Sequence, residues 1–132
     1  MENVQFTESD IKDKLLLERL IESESQALFD SHYTRRSRSL EEIKGAVRQG
    51  KTLELWLTEN YAFQLSNDRF HDLIDENGDF VEVKAYNVQS SSAPYVQQSL
   101  KSIRTGKWNH SKWFLLFHCK NGVYKFLEKI KI

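Results

Sequence analysis

Three side chains within thirteen residues could act on a phosphodiester: Asp72, Glu82 ten residues later, and Lys84 two beyond that. Residues 80–85 read Phe-Val-Glu-Val-Lys-Ala, the alternation of a strand. Successive side chains of a strand leave opposite faces, so Phe80, Glu82 and Lys84 point one way and Val81, Val83 and Ala85 the other. The apolar set can be buried while a carboxylate and an amine project together into a cleft. Two carboxylates facing each other across a hairpin repel, and neither tolerates partial burial without a counter-charge. A hard divalent cation supplies one. Mg²⁺ takes one or two protein carboxylates and leaves the rest of its octahedron to water and phosphate oxygens. Lys84 alongside would stabilise charge on a phosphate or help activate the attacking water.

The turn decides whether Asp72 joins this face. A two-residue Asn77-Gly78 loop pairs Asp72 with Val83 and sends it to the wrong side. A three-residue loop, Glu76-Asn77-Gly78 with Gly78 left-handed in a bulge, pairs it with Glu82. A one-residue slip inverts every side chain. The three-residue loop is the expectation.

This hairpin resembles the core of the PD-(D/E)xK nucleases, and most closely that of PvuII-type restriction endonucleases. The shared features are the interval from Asp72 to Glu82-x-Lys84, Gly78 late in the turn and Asn87 three residues after the lysine. The likeness runs from about residue 50 to 87 and, more faintly, over 113–127. The proline of the motif is absent, and His71 precedes the aspartate. Glu-x-Lys alone carries nothing, since Glu42-x-Lys44 occurs in a helical stretch, and cross-strand charge pairing on a solvated face is the bland account of the same residues. The resemblance implies a restriction-endonuclease-like α/β core, a central mixed sheet flanked by helices. It also implies Mg²⁺ held by Asp72, Glu82 and the carbonyl of Val83, with Lys84 catalytic. The histidines that read bases in that family have no counterparts here, so its recognition sequence is not implied.

At 132 residues the chain reads as one domain, 1–132, able to bury a core without staples. A lone Cys119 forms no internal disulfide, which fits a reducing cytoplasm, and its apolar surroundings make it a core thiol rather than a nucleophile. No apolar run reaches membrane-spanning length. Nineteen bases balance nineteen acids, but the average hides a gradient. Residues 1–30 hold eight acids and three bases; residues 101–132 hold eight bases and one acid. That asymmetry points an acidic arm away from phosphates and a basic half toward them, unless Lys125, Lys129 and Lys131 merely solvate an edge strand.

The first six residues read as loose. Thr7 or Ser9 opens a helix to about Phe29, with Ile11, Leu15, Leu16, Leu20, Ile21, Leu28 and Phe29 at helical spacing and Leu17 widening the stripe. Residues 7–30 thus form a helical arm, either an ordinary core helix or the contact of a homodimer, since cutting both strands of a duplex usually takes two sites on a twofold axis. Residues 32–39 read as a linker whose Arg35, Arg36 and Arg38 suit phosphate contacts. Ser39 and Glu42 form a capping box. The helix it opens, with Leu40, Ile43 and Val47 inward, ends at Gly50 before a strand over 52–57, or runs on to about Tyr61 as the resemblance favours. A strand over 61–65 then feeds the hairpin. Pro94 opens a third helix with Val96, Leu100 and Ile103 inward and Gly106 at its end. Residues 113–119 read as a strand covered on both faces, and 123–132 return antiparallel after Lys120-Asn121-Gly122.

Candidate DNA contacts are Gln89, Ser90, Ser91 and Ser92 in the loop after the hairpin, Lys101 and Arg104 on the third helix, and Lys107, Asn109 and His110 beyond it. The expected activity is a Mg²⁺-dependent, restriction-like endonuclease acting on double-stranded DNA as a homodimer. Two alternatives stay open: a structure-selective or repair nuclease of the same fold, and a nuclease-derived module that binds nucleic acid without cutting it. A nuclease toxin is a less favoured fourth reading.

Overall fold

The computed structural model describes residues 1–31, 38–68, 70–106 and 109–132. Arg35, Arg36 and Lys107 lie outside the described residues. The strands are β1 Gln5–Thr7, β2 Gln64–Leu65, β3 Leu73–Ile74, β4 Phe80–Tyr86, β5 Trp113–Lys120 and β6 Val123–Lys131. The α-helices are α1 Lys14–Asp30, α2 Leu40–Asn60 and α3 Pro94–Thr105. The strands make one sheet in the order β1-β6-β5-β4-β3-β2. Only β4 and β5 run parallel, joined through α3; the other neighbours are antiparallel. The α/β class and the mixed sheet with flanking helices are therefore as expected.

The layers follow from which faces are apolar. From α2, Leu53 and Leu57 pack on Val81, Val83, Leu115, Phe117 and Tyr124, closing one face of the sheet. Val96 and Leu100 of α3 cover Phe114 and Leu116 on the other. β5 is covered on both sides, which is why Phe114 to Phe117 form an unbroken buried run. α1 lies outside α2, burying Leu17 and Ile21 against Ile43, Val47 and Leu55. Among the described residues, no helix is long and apolar enough to cross a membrane.

Several boundaries differ from expectation. Residues 5–7 are not loose: they pair with β6, so Lys125 sits opposite Gln5 rather than on a bare edge. Thr7 opens only a short 3-10 turn, Glu8–Asp10, and α1 begins at Lys14 with Asp13 as its cap. The cause is tertiary. The Glu59 carboxylate, near the end of α2, accepts the backbone N–H groups of Lys12 and Asp13, each at 2.8 Å, and breaks the helical run there. The later start shifts the buried stripe to Leu17, Ile21 and Ser25, leaving Leu15 78% exposed. α2 has Ser39 as its cap, as expected, and passes through Gly50 without a break; no strand forms over 52–57. A side chain at Gly50 would meet only the Glu54 carboxylate, at 3.7 Å, so nothing stops the helix there.

Candidate active site

The β3–β4 turn has the three-residue form. Asp75 N–H donates to Asp79 O at 2.9 Å, Gly78 N–H to Asp75 O at 3.0 Å, and Gly78 is left-handed at φ +81°. Ile74 pairs with Phe80 and Leu73 with Val81, and continuing that register sets Asp72 opposite Glu82. The two carboxyl groups are in hydrogen-bonding contact. Asp72 Oδ2 also accepts Val83 N–H at 2.9 Å. In a strand the amide and carbonyl of one residue leave the same edge, so the Val83 carbonyl opens toward Asp72 as well. Lys84, exposed, follows Glu82 on the same strand face.

Glu82 is only 6% exposed. Its carboxylate takes Asn109 Nδ2 and Ser111 Oγ, each at 3.4 Å. Burial, and then the Asp72 charge beside it, push its pKa up to about 8. A third acid joins from α2. Glu54 is buried, and burial followed by the Asp72 charge raises it also to about 8. Lys51 Nζ offsets it at 3.3 Å while reaching Glu24 of α1 at 3.2 Å. Asp72 therefore lies between two carboxyls that burial holds near neutrality. Glu54 was not singled out from the sequence. The available signal was an acid inside the apolar run Leu53-Glu54-Leu55-Trp56-Leu57.

His71, immediately before Asp72, works as a clamp. Its ring stacks on Phe80 with centroids 3.8 Å apart. Nε2 accepts His110 N–H at 3.1 Å, so Nδ1 carries the proton and donates to Asp68 Oδ2 at 3.0 Å. His110 lies between Asn109 and Ser111, the two residues on Glu82, and Ser111 N–H donates to Asn109 Oδ1 at 2.8 Å. Through this chain His71 holds the segment that positions Glu82.

The remaining expected contacts divide. Gln89, Ser90, Ser92, Lys101 and His110 are exposed. Ser91 O accepts Gln97 Nε2 at 2.6 Å, tying the 89–92 loop to α3, and Ser90 and Ser92 share a 2.6 Å hydroxyl contact. Arg104 Nη2 donates to Lys131 O at 3.1 Å, binding α3 to β6. Asn109 faces Glu82 rather than outward as a base reader. Arg38 is exposed before α2, far along the chain from the hairpin.

Among the described residues, no group of three His, Cys, Asp or Glu side chains forms a ready-made metal cage. The donors still fit Mg²⁺. They are all oxygens, two are carboxylates in contact, and a backbone carbonyl opens beside them, while the ion asks for only one or two protein carboxylates. Comparison with family models, curated proteins and solved structures found no match.

Proposed function

We propose that this protein is a Mg²⁺-dependent DNA endonuclease with a restriction-endonuclease-like core, acting in the cytoplasm as a homodimer. The supporting observation is the Asp72–Glu82 contact across the hairpin, partly buried, with Lys84 next on the same face. A merely solvated charge pair would not leave two acids touching, one of them pushed up to about 8. Such a pair costs stability unless a cation or a function compensates. Asp72, Glu82 and the Val83 carbonyl would hold the ion. When bound, it would neutralise the scissile phosphate and favour a hydroxide-like nucleophile at neutral pH.

The chain's own groups do the rest. Asn109 and Ser111 fix the Glu82 carboxylate. The Lys84 ammonium sits where charge accumulates on the non-bridging oxygens as water adds to phosphorus and the ester oxygen leaves with a proton. Glu54, raised to about 8, adds negative charge next to Asp72 only as it ionises at alkaline pH. The decisive experiment incubates supercoiled plasmid with the protein and Mg²⁺ and sequences the ends. Wild type is expected to cut, and Lys84→Ala to retain the fold by circular dichroism while cutting about 100-fold or more slowly. Equal cleavage by the two proteins refutes the assignment.

A further inference from the structure

A cleft of about 320 Å³ separates β4 from α3. Its floor is Glu82, Lys84 and Tyr86, every second residue of β4; its wall is Tyr95, Gln98, Ser99 and Ser102, one helical stripe of α3. The Tyr86 hydroxyl is fixed to Ser99 Oγ at 2.6 Å, so that ring is a set surface. Tyr95 is different. It is 71% exposed, although α3 satisfies its own packing through buried Val96 and Leu100. A large ring kept in water at the rim of a phosphate-handling cleft has a clear use as a stacking surface.

The geometry points to an unpaired nucleotide as the ligand of this cleft, its phosphate at the Glu82 and Lys84 end and its base stacked on Tyr95. This rests on the nuclease reading above and narrows its substrate class. Along β4 the chemistry runs from carboxylate to ammonium to phenol, the order phosphate to base. The volume is at the small end of pockets that take one drug-sized molecule, which a single nucleotide is. A base inside a duplex has both faces occupied by its neighbours and cannot stack on Tyr95. One that is mismatched, extrahelical or single-stranded can, at a lower unstacking cost. Stacking tolerates any base, so the cleft selects structure rather than sequence, with Gln98 placed to touch the base edge.

The test uses three labelled oligonucleotides: a paired duplex, the same duplex with one extrahelical nucleotide, and the single strand. Wild type with Mg²⁺ is expected to show a kcat/KM at least about 10-fold higher on the last two. Tyr95→Ala should raise KM on them about 10-fold with kcat little changed, and Tyr95→Phe and Tyr95→Trp should behave as wild type. A 2-aminopurine at the unpaired position, with Ca²⁺ replacing Mg²⁺, reports stacking without cleavage. Its fluorescence should be quenched by wild type and not by Tyr95→Ala. Equal quenching by both, or preference for the fully paired duplex, overturns the inference. Quenching that depends on Tyr95 without cleavage of any substrate upholds the nucleotide site and refutes the nuclease reading instead.

Discussion

Glu82 and Glu54 set the pH behaviour of the metal-free protein. Each is raised from the ordinary 4.5 to about 8 by burial and then by the Asp72 charge. Between those values the folded state holds protons that the unfolded chain has released, so stability falls as pH rises from about 4.5 to about 8. Metal-free Tm should therefore decline across that window. Glu82→Gln, which keeps the shape and removes the charge, should flatten the decline and raise Tm at the alkaline end. On the proposed reading Mg²⁺ would bind the ionised carboxylates, so its stabilisation of wild type should grow with pH and be lost in Glu82→Gln. Calorimetry with and without Mg²⁺ checks both. A Tm that rises with pH in the absence of metal contradicts the burial of these acids.

At the scale of elements, the site is assembled by contacts between segments distant in sequence. His71 joins the β3 approach to the segment before β5, and only its Nε2 lone pair holds His110 N–H. A glutamine places an acceptor near Nε2; phenylalanine keeps the stack on Phe80 and offers none. His71→Gln is thus expected to retain most cleavage, and His71→Phe to lose it about 10-fold or more, through kcat rather than KM, as Glu82 loses its holders. Identical kinetics for the two variants would remove the clamp from the mechanism. Glu59 acts likewise on α1. Replacing it with alanine leaves two backbone donors without their acceptor and should cost about 1–2 kcal/mol in urea denaturation, with faster amide exchange at Lys12 and Asp13.

At the scale of the whole molecule, the described residues of each chain form one such cleft, so cutting both strands of a duplex in one event would take two chains. α1 buries its apolar stripe against α2, leaving Leu15 and Leu28 as the exposed large apolar residues of that helix. A homodimer predicts linear plasmid as the first product and twice the monomer mass in light scattering. Accumulated nicked circles and a monomer mass would exclude it. Acidic α1 lies outside α2, and the basic C-terminal strands β5 and β6 follow β4 in the sheet, β5 paired directly with it. There Lys129 rests over the Trp113 ring, 4.2 Å from its centroid.

What the sequence by itself determined is local and periodic. The alternation over β4, the glycine that lets the loop close in three residues, the Ser39 cap and Pro94 are short-range rules, and they bring Asp72, Glu82 and Lys84 to one face. Both hairpin turns were legible because a left-handed residue is rarely tolerated outside glycine and asparagine: Gly78 in one, Asn121 and Gly122 in the other. Only the tertiary structure decided where α1 begins, that α2 crosses Gly50, that β1 closes the sheet, and that Glu54 reaches Asp72. The start of α1 and the pairing of β1 depend on a partner dozens of residues away, Glu59 on Lys12 and β6 on residues 5–7, and chain spacing carries no record of such a pairing. Asn109 follows the same logic, an apparent outward base reader that the packing of His71 turns inward onto a carboxylate.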